Sequence, residues 1–172
     1  MENILAGHTN SYHTYTFDDA LEGIAKAGFK YVELSAVRGW TEHVPLEASE
    51  ADIREIKAKL THWGLTPSAL SGHSDLTTAA GLVDGKKAID LTEKFGLTIM
   101  NTAVGGHYSE DEDKGAFMDH IHDLADYAAQ RGIVLPPAQQ SAATDLSPYL
   151  AASDDPGGLA VVFQTAIAPE EL

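Results

Sequence analysis

Apolar residues recur in two alternating rhythms through the first 135 residues. Helical spacing puts Phe17, Leu21, Ile24 and Ala25 on one face, then Ile53, Ile56 and Leu60 on another. Leu82, Val83, Ala88, Ile89 and Leu91 continue the pattern, followed by Phe117, Ile121, Leu124, Ala125 and Ala128. The third stretch is weakened by Gly85, which costs about 1 kcal/mol relative to Ala inside a helix. Between these helical stretches lie short apolar runs, each opened by a glycine: Gly28 to Leu34, Gly64 to Leu70, Gly96 to Thr102 and Gly132 to Leu135. Glycine ends a helix in the left-handed conformation, and the run after it is too short for another helix but suits a buried parallel strand. Thr16 is placed to cap the first helix, and Ser49 with Asp52 forms a capping-box pattern for the second. With a first strand over Asn3 to Gly7, the order is βαβαβαβαβ, which predicts a parallel sheet with right-handed crossovers.

Two architectures accept that order. A doubly wound sheet normally carries a glycine-rich phosphate turn after its first strand, and Gly7-His8-Thr9-Asn10 is not one. A closed (β/α)8 barrel needs about 250 residues. The expected fold class is therefore α/β, a partial (half) TIM barrel of parallel strands alternating with helices, followed by an irregular C-terminal tail.

Charge sharpens the division. The formal net charge is -15, and no Lys or Arg follows Arg131. Five of the seven prolines also fall after that point, among them Pro136-Pro137, Pro148 and Pro156. The expected domains are thus 1–135, the half barrel with the start of a fifth strand, and 136–172, a divergent tail with a possible short strand over Leu159 to Phe163. Strong negative charge opposes binding to a phosphate backbone, so no nucleic-acid partner is expected. No run approaches the roughly 20 apolar residues of a membrane span, and the absence of cysteine removes disulfides and thiolate chemistry. A cytoplasmic protein with no membrane partner is the expectation.

In a barrel, residues at the C-terminal ends of strands carry the chemistry. His8 follows strand one, Glu33 lies in strand two, His73 follows strand three and His107 follows strand four. Glu33 in an apolar strand is costly to bury unless paired, either with substrate or with a cation such as Arg38. Trp40, in the loop after strand two, either shapes a pocket or packs over the barrel top. The pair Gly105-Gly106 permits close approach to a ligand or serves only the turn. The acidic run Glu110 to Asp113 is accounted for by the helix dipole. His120 and His122 do not share a helix face, and His62 and Trp63 read as structural.

Three strand-end segments, Tyr31-Val-Glu-Leu-Ser35, Leu70-Ser-Gly-His-Ser-Asp75 and Asn101-Thr-Ala-Val-Gly-Gly-His107, resemble the xylose isomerase-like TIM barrel superfamily of sugar phosphate isomerases and epimerases, over residues 3 to about 135. The resemblance implies a divalent metal (Mg, Mn, Co or Zn), a small sugar or sugar phosphate as substrate, and proton or hydride movement between adjacent carbons. It makes His8, Glu33, Trp40, His73, Asn101 and His107 the candidate substrate-binding residues, with His73 and His107 the candidate metal ligands. In this superfamily the main metal carboxylates and acid/base glutamates come from the fifth strand onward. Here the sequence turns to Pro136-Pro-Ala-Gln-Gln, and no glutamate lies between Glu112 and Glu170. A frame change, a truncation or a fusion would each produce that break. Little or no isomerase activity is expected of this chain. Two alternatives stand beside this reading. One is a non-catalytic half barrel that binds a sugar-like ligand or forms a homo-oligomer through its exposed edges. The other is a metal-dependent nuclease like the apurinic-site endonucleases of the same superfamily, which bind zinc through strand-end histidines.

Overall fold

The computed structural model describes residues 4–103, 111–139 and 162–163. Strands and helices alternate as β1 (Ala6–His8), α1 (Phe17–Lys26), β2 (Tyr31–Ser35), α2 (Glu50–His62), β3 (Thr66–Ser71), α3 (Ala79–Phe95), β4 (Met100–Ala103), α4 (Asp111–Ala129), β5 (Pro137–Gln139) and β6 (Val162–Phe163). A 3-10 turn over Thr9–Tyr12 follows β1. The six strands form a parallel sheet in chain order. This is the partial barrel that the hydrophobic rhythm predicts.

Local chemistry sets the element boundaries. Thr16 and Asp19 form a capping box at α1, and Ser49 and Asp52 form another at α2. Gly28, Gly64, Gly96 and Gly132 all have positive φ, between 66° and 89°, so each helix is released toward the next strand by a residue without a Cβ. Among the described residues no helix is long and apolar enough to cross a membrane.

Several boundaries differ from the expectation. β1 begins at Ala6, and Ile4 and Leu5 are exposed at 57% and 77%. They precede the ladder. The fifth strand is split. Val134 donates to the Thr98 carbonyl and accepts from the Met100 amide, but Pro136, which has no N–H, only accepts from Thr102. Regular pairing resumes at β5, where Pro137 and Ala138 face Thr102 and Ala103. Of the tail strand expected over 159–163, Val162 and Phe163 pair with β5, and the rest lies outside the described residues.

One apolar cluster holds the layers together. Val32, Leu34, Leu70 and Met100, alternate residues of β2, β3 and β4, are fully buried and join Leu21, Ile24, Ile53, Ile56, Leu60, Ile89, Leu91, Phe117 and Leu124 from the helices. Val83 and Ala125 do not belong to it, since both are exposed and stand one position round their helices from Leu82, which packs against the cluster, and Leu124, which is part of it. Gly85 repays its helix cost. A Cβ there would lie 3.0 and 3.2 Å from the two Leu124 methyls, so glycine lets α4 settle closely on α3.

Because alternate residues face the helices, the remaining ones face the opposite side of the sheet. These are His8, Glu33, Ser35, Ala69, Ser71 and Asn101. A bulge at Ser68 sets their register. Val32 pairs with Pro67 but Glu33 with Ala69, leaving Ser68 as the extra residue, with its hydroxyl donating to the Val32 carbonyl at 3.3 Å.

Candidate functional site

The face turned away from the helices is polar where an ordinary parallel sheet is apolar. At its centre Glu33 accepts a 2.6 Å hydrogen bond from the Asn101 side-chain amide. The two residues sit on β2 and β4, so the contact spans β3, where the cross-strand partner of Glu33 is the small Ala69. On the other side, Glu33 is paired in register with His8 of β1. Asn101 is itself the register partner of Ser71. Four strands thus place one polar residue each within reach of a common centre.

His73 enters just beyond the end of β3. Gly72 permits this, because a Cβ there would come within 2.5 Å of the Ala88 side chain and 3.0 Å of the Met100 sulfur. Burial pushes the His73 imidazole down to about 4, and the charge of His8 adds to the effect. Burial also lowers His8, with the Glu33 carboxylate opposing that and His43 reinforcing it. His43 reaches the group from the loop before α2, its Nε2 hydrogen-bonded to the Tyr15 carbonyl at 3.1 Å. That bond makes Nε2 the protonated nitrogen and leaves Nδ1 as an acceptor.

Among the described residues, much of this face has no hydrogen-bond partner. His8 Nε2, His43 Nδ1, Ser71 Oγ, His73 Nδ1 and Asn101 Oδ1 are all buried without a hydrogen bond. Ser71 is 0% exposed and Asn101 6%, so bulk water does not serve them freely. An unsatisfied buried polar atom costs about 1–3 kcal/mol, and several gathered at one centre point to a ligand or ordered water that completes them. Asn101 gives one amide N–H to Glu33, and its carbonyl oxygen is left to accept from a hydroxyl donor.

A second network builds the rim. Thr41 donates to Asn10 at 2.5 Å and meets His13 Nδ1 at 2.7 Å, while the Ser35 hydroxyl donates to the Thr41 carbonyl at 2.8 Å. The His13 ring lies flat on Trp40, with centroids 3.8 Å apart and planes 11° from parallel. Trp40 is thus neither buried in a pocket nor packed on the sheet. It is 61% exposed at the rim. Arg38 is not the partner of Glu33, because its guanidinium is engaged by Glu47 and by Asp84. It stands in the strand-end loop, whereas Glu33 points to the sheet face.

Of the six expected site residues, the fold brings His8, Glu33, His73 and Asn101 together and leaves Trp40 at the rim. His107, with Gly105 and Gly106, lies outside the described residues. His120 is structural, bonded to the Leu76 carbonyl at 2.8 Å, and His62 makes an edge contact with Trp63. Sequence reasoning missed Ser71 and His43. Strand alternation pointed to the first, since Ser71 is two residues from both Ala69 and His73. Nothing local marked the second, which arrives through a loop.

Residues 21–136, more than half of the chain, match the family described as xylose isomerase-like TIM barrel. The chain belongs to that family. No curated protein sequence matches it. Among solved structures, the xylose isomerase-like barrel is similar to a Mycobacterium smegmatis protein of that description in complex with magnesium, at 18% identity and TM-score 0.66, covering 87% of this chain and 60% of the other. A D-psicose 3-epimerase crystallised in the presence of D-fructose gives 17% identity and TM-score 0.66 over 91% and 61%. A sugar phosphate isomerase/epimerase from Parabacteroides distasonis gives 15% and 0.58 over 85% and 58%. At these identities the likeness establishes the fold, and the chain spans about three-fifths of the length of these relatives.

The family implies a divalent metal, and the donors gathered at this face meet that requirement only in part. His8 and His73 are uncharged imidazoles with free nitrogens, which suits metal ligation. The one carboxylate among them, Glu33, is bound by Asn101. Among the described residues no group of three or more His, Cys, Asp or Glu side chains is arranged to hold a metal ion.

The Glu33 to Asn101 bond makes a direct prediction. Asn101→Ala leaves a partly buried carboxylate without its donor and is expected to destabilise the fold by about 1–2 kcal/mol. Urea unfolding followed by circular dichroism checks this, and an unchanged midpoint would show that the bond holds nothing.

Proposed function

We propose that this chain forms the sugar-recognising wall of an isomerase or epimerase site, and that the 172-residue chain binds a small sugar without turning it over. The observation that carries this is the set of buried polar atoms on His8, Ser71, His73 and Asn101 that have no partner among the described residues, collected with Glu33 at the ends of parallel strands. Neutral imidazole nitrogens, a serine hydroxyl and an amide carbonyl match the alternating donors and acceptors of adjacent sugar hydroxyls. The epimerase with D-fructose among the similar structures supports the same reading. In this arrangement His8 and His73 contact substrate hydroxyls, and Asn101 both accepts from one and holds the Glu33 carboxylate in place.

The expected lack of turnover has a sequence basis. Removing a proton next to a carbonyl requires the developing enediolate to be stabilised and a base to take the proton. From residue 113 to residue 169 the chain offers no glutamate for either task, and Asp145, Asp154 and Asp155 are its only carboxylates past Asp126 in that span. NMR of the imidazole protons during titration with D-fructose is expected to shift His8 and His73 and to spare His62 and His122. Incubation of the same sample with Mn, Co or Mg is expected to yield no second ketose. Unmoved His8 and His73 signals would refute the binding proposal, and metal-dependent epimerisation by the purified chain would refute the claim of inactivity.

A further inference from the structure

Resting on that sugar-binding reading, we propose that the strand-end face admits an uncharged polyol and rejects its phosphorylated counterpart, and that Glu33 is the residue that makes the distinction. A phosphate group brings only acceptors and up to two negative charges, so a site that binds it supplies cations and N–H donors. This face gathers polar side chains around a negative charge instead. Its centre is a carboxylate held in place by Asn101, and the nearest free atom of Asn101 is a carbonyl oxygen.

Among the described side chains, the cations lie elsewhere. The chain has 11 Lys and Arg, and the segments outside the described residues contain none of them. Lys26, Lys59, Lys86, Lys87 and Arg131 are paired with acidic groups along or just beyond the helices, and Lys57 caps the Lys94 carbonyl. Lys30 precedes β2 at the far end of the strand, and Arg54, Lys94 and Lys114 fall on α2, α3 and α4. Arg38 is the one cation in a strand-end loop, and Glu47 and Asp84 already engage it. The formal charge of -15 adds a long-range field of the same sign as Glu33.

Calorimetric titration of the full chain at pH 7.5 with D-fructose, D-fructose 6-phosphate and inorganic phosphate tests this. D-fructose is expected to bind at least about tenfold more tightly than its phosphate ester, because a carboxylate and a phosphate brought close in a partly buried site repel strongly. Inorganic phosphate is expected not to compete. Glu33→Gln keeps an oxygen for the Asn101 amide while removing the charge, and it is expected to narrow the ratio. Should that variant not fold, added KCl serves on the wild-type chain, since screening raises the affinity of the ester and leaves that of fructose unchanged. Equal or tighter binding of the ester overturns the inference and leaves the sugar reading standing. A ratio that moves with neither charge removal nor salt overturns the role of Glu33. Failure of both sugars to bind overturns the sugar reading and this inference together.

Discussion

Acidification is expected to cost this fold about 3 kcal/mol through His73, as pH falls from 6.5 toward 4. His73 is held uncharged in the folded chain and has its ordinary basicity when unfolded. Between the two values the unfolded state therefore binds the extra proton, so stability rises with pH across this window and is lost on descent through it. The contribution is fully present above 6.5 and exhausted below about 4. His8 is shifted in the same direction by its own burial and steepens the loss. Urea midpoints measured at pH 7.5 and pH 4.5 for the wild-type chain and for His73→Gln check the assignment. The variant is expected to lose much of the pH dependence. Identical pH slopes in the two proteins would place the acid sensitivity in other groups. Ligand binding is expected to weaken over the same interval, because a protonated imidazole no longer offers an acceptor nitrogen.

Truncation of Leu70 is the second large effect. Leu70 is 0% exposed in β3, flanked by Leu34 on β2 and Met100 on β4, and belongs to the single cluster that joins sheet and helices. Leu70→Ala removes the apolar atoms and leaves a cavity that close-packed neighbours fill only in part, a loss of about 2–5 kcal/mol. A drop of less than about 1 kcal/mol in urea unfolding would mean that β3 is not the centre of the core. The same substitution bears on the site, because Leu70 anchors the strand that carries Ser71 and leads to His73. A variant stable enough to study is expected to bind D-fructose more weakly than the wild-type chain.

The helix stops show how far local chemistry reaches. Gly28, Gly64, Gly96 and Gly132 are legible in the sequence as punctuation because positive φ is a property of one residue, and all four adopt it. The capping boxes at Thr16 and Ser49 are legible for the same reason, since each bond spans three residues. β1 and the fifth strand were read less well. Their limits depend on which backbone groups find partners in a neighbouring strand, and Pro136 interrupts the second by withholding one donor. Proximity in sequence suggests Arg38 as the counterion of Glu33, yet Glu47 and Asp84, which engage it, are brought there by folding.

The site divides along the same line. His8, Glu33, His73 and Asn101 could be nominated because strand-end positions follow from the order of elements. Their joining could not. Glu33 and Asn101 are 68 residues apart, and their bond requires a bulge at Ser68, a small residue at Ala69 and the register of three strands together. His43 enters through a loop whose path is set by Thr41 and Tyr15, and Gly85 becomes understandable only once Leu124 is seen against it. Sequence alone therefore determined the alternation of elements, their caps and the polar character of the strand ends, because these depend on interactions a few residues long. Which polar groups meet, which remain without partners and which charges are neutralised were decided by the tertiary structure, because those depend on distances between segments that only packing establishes.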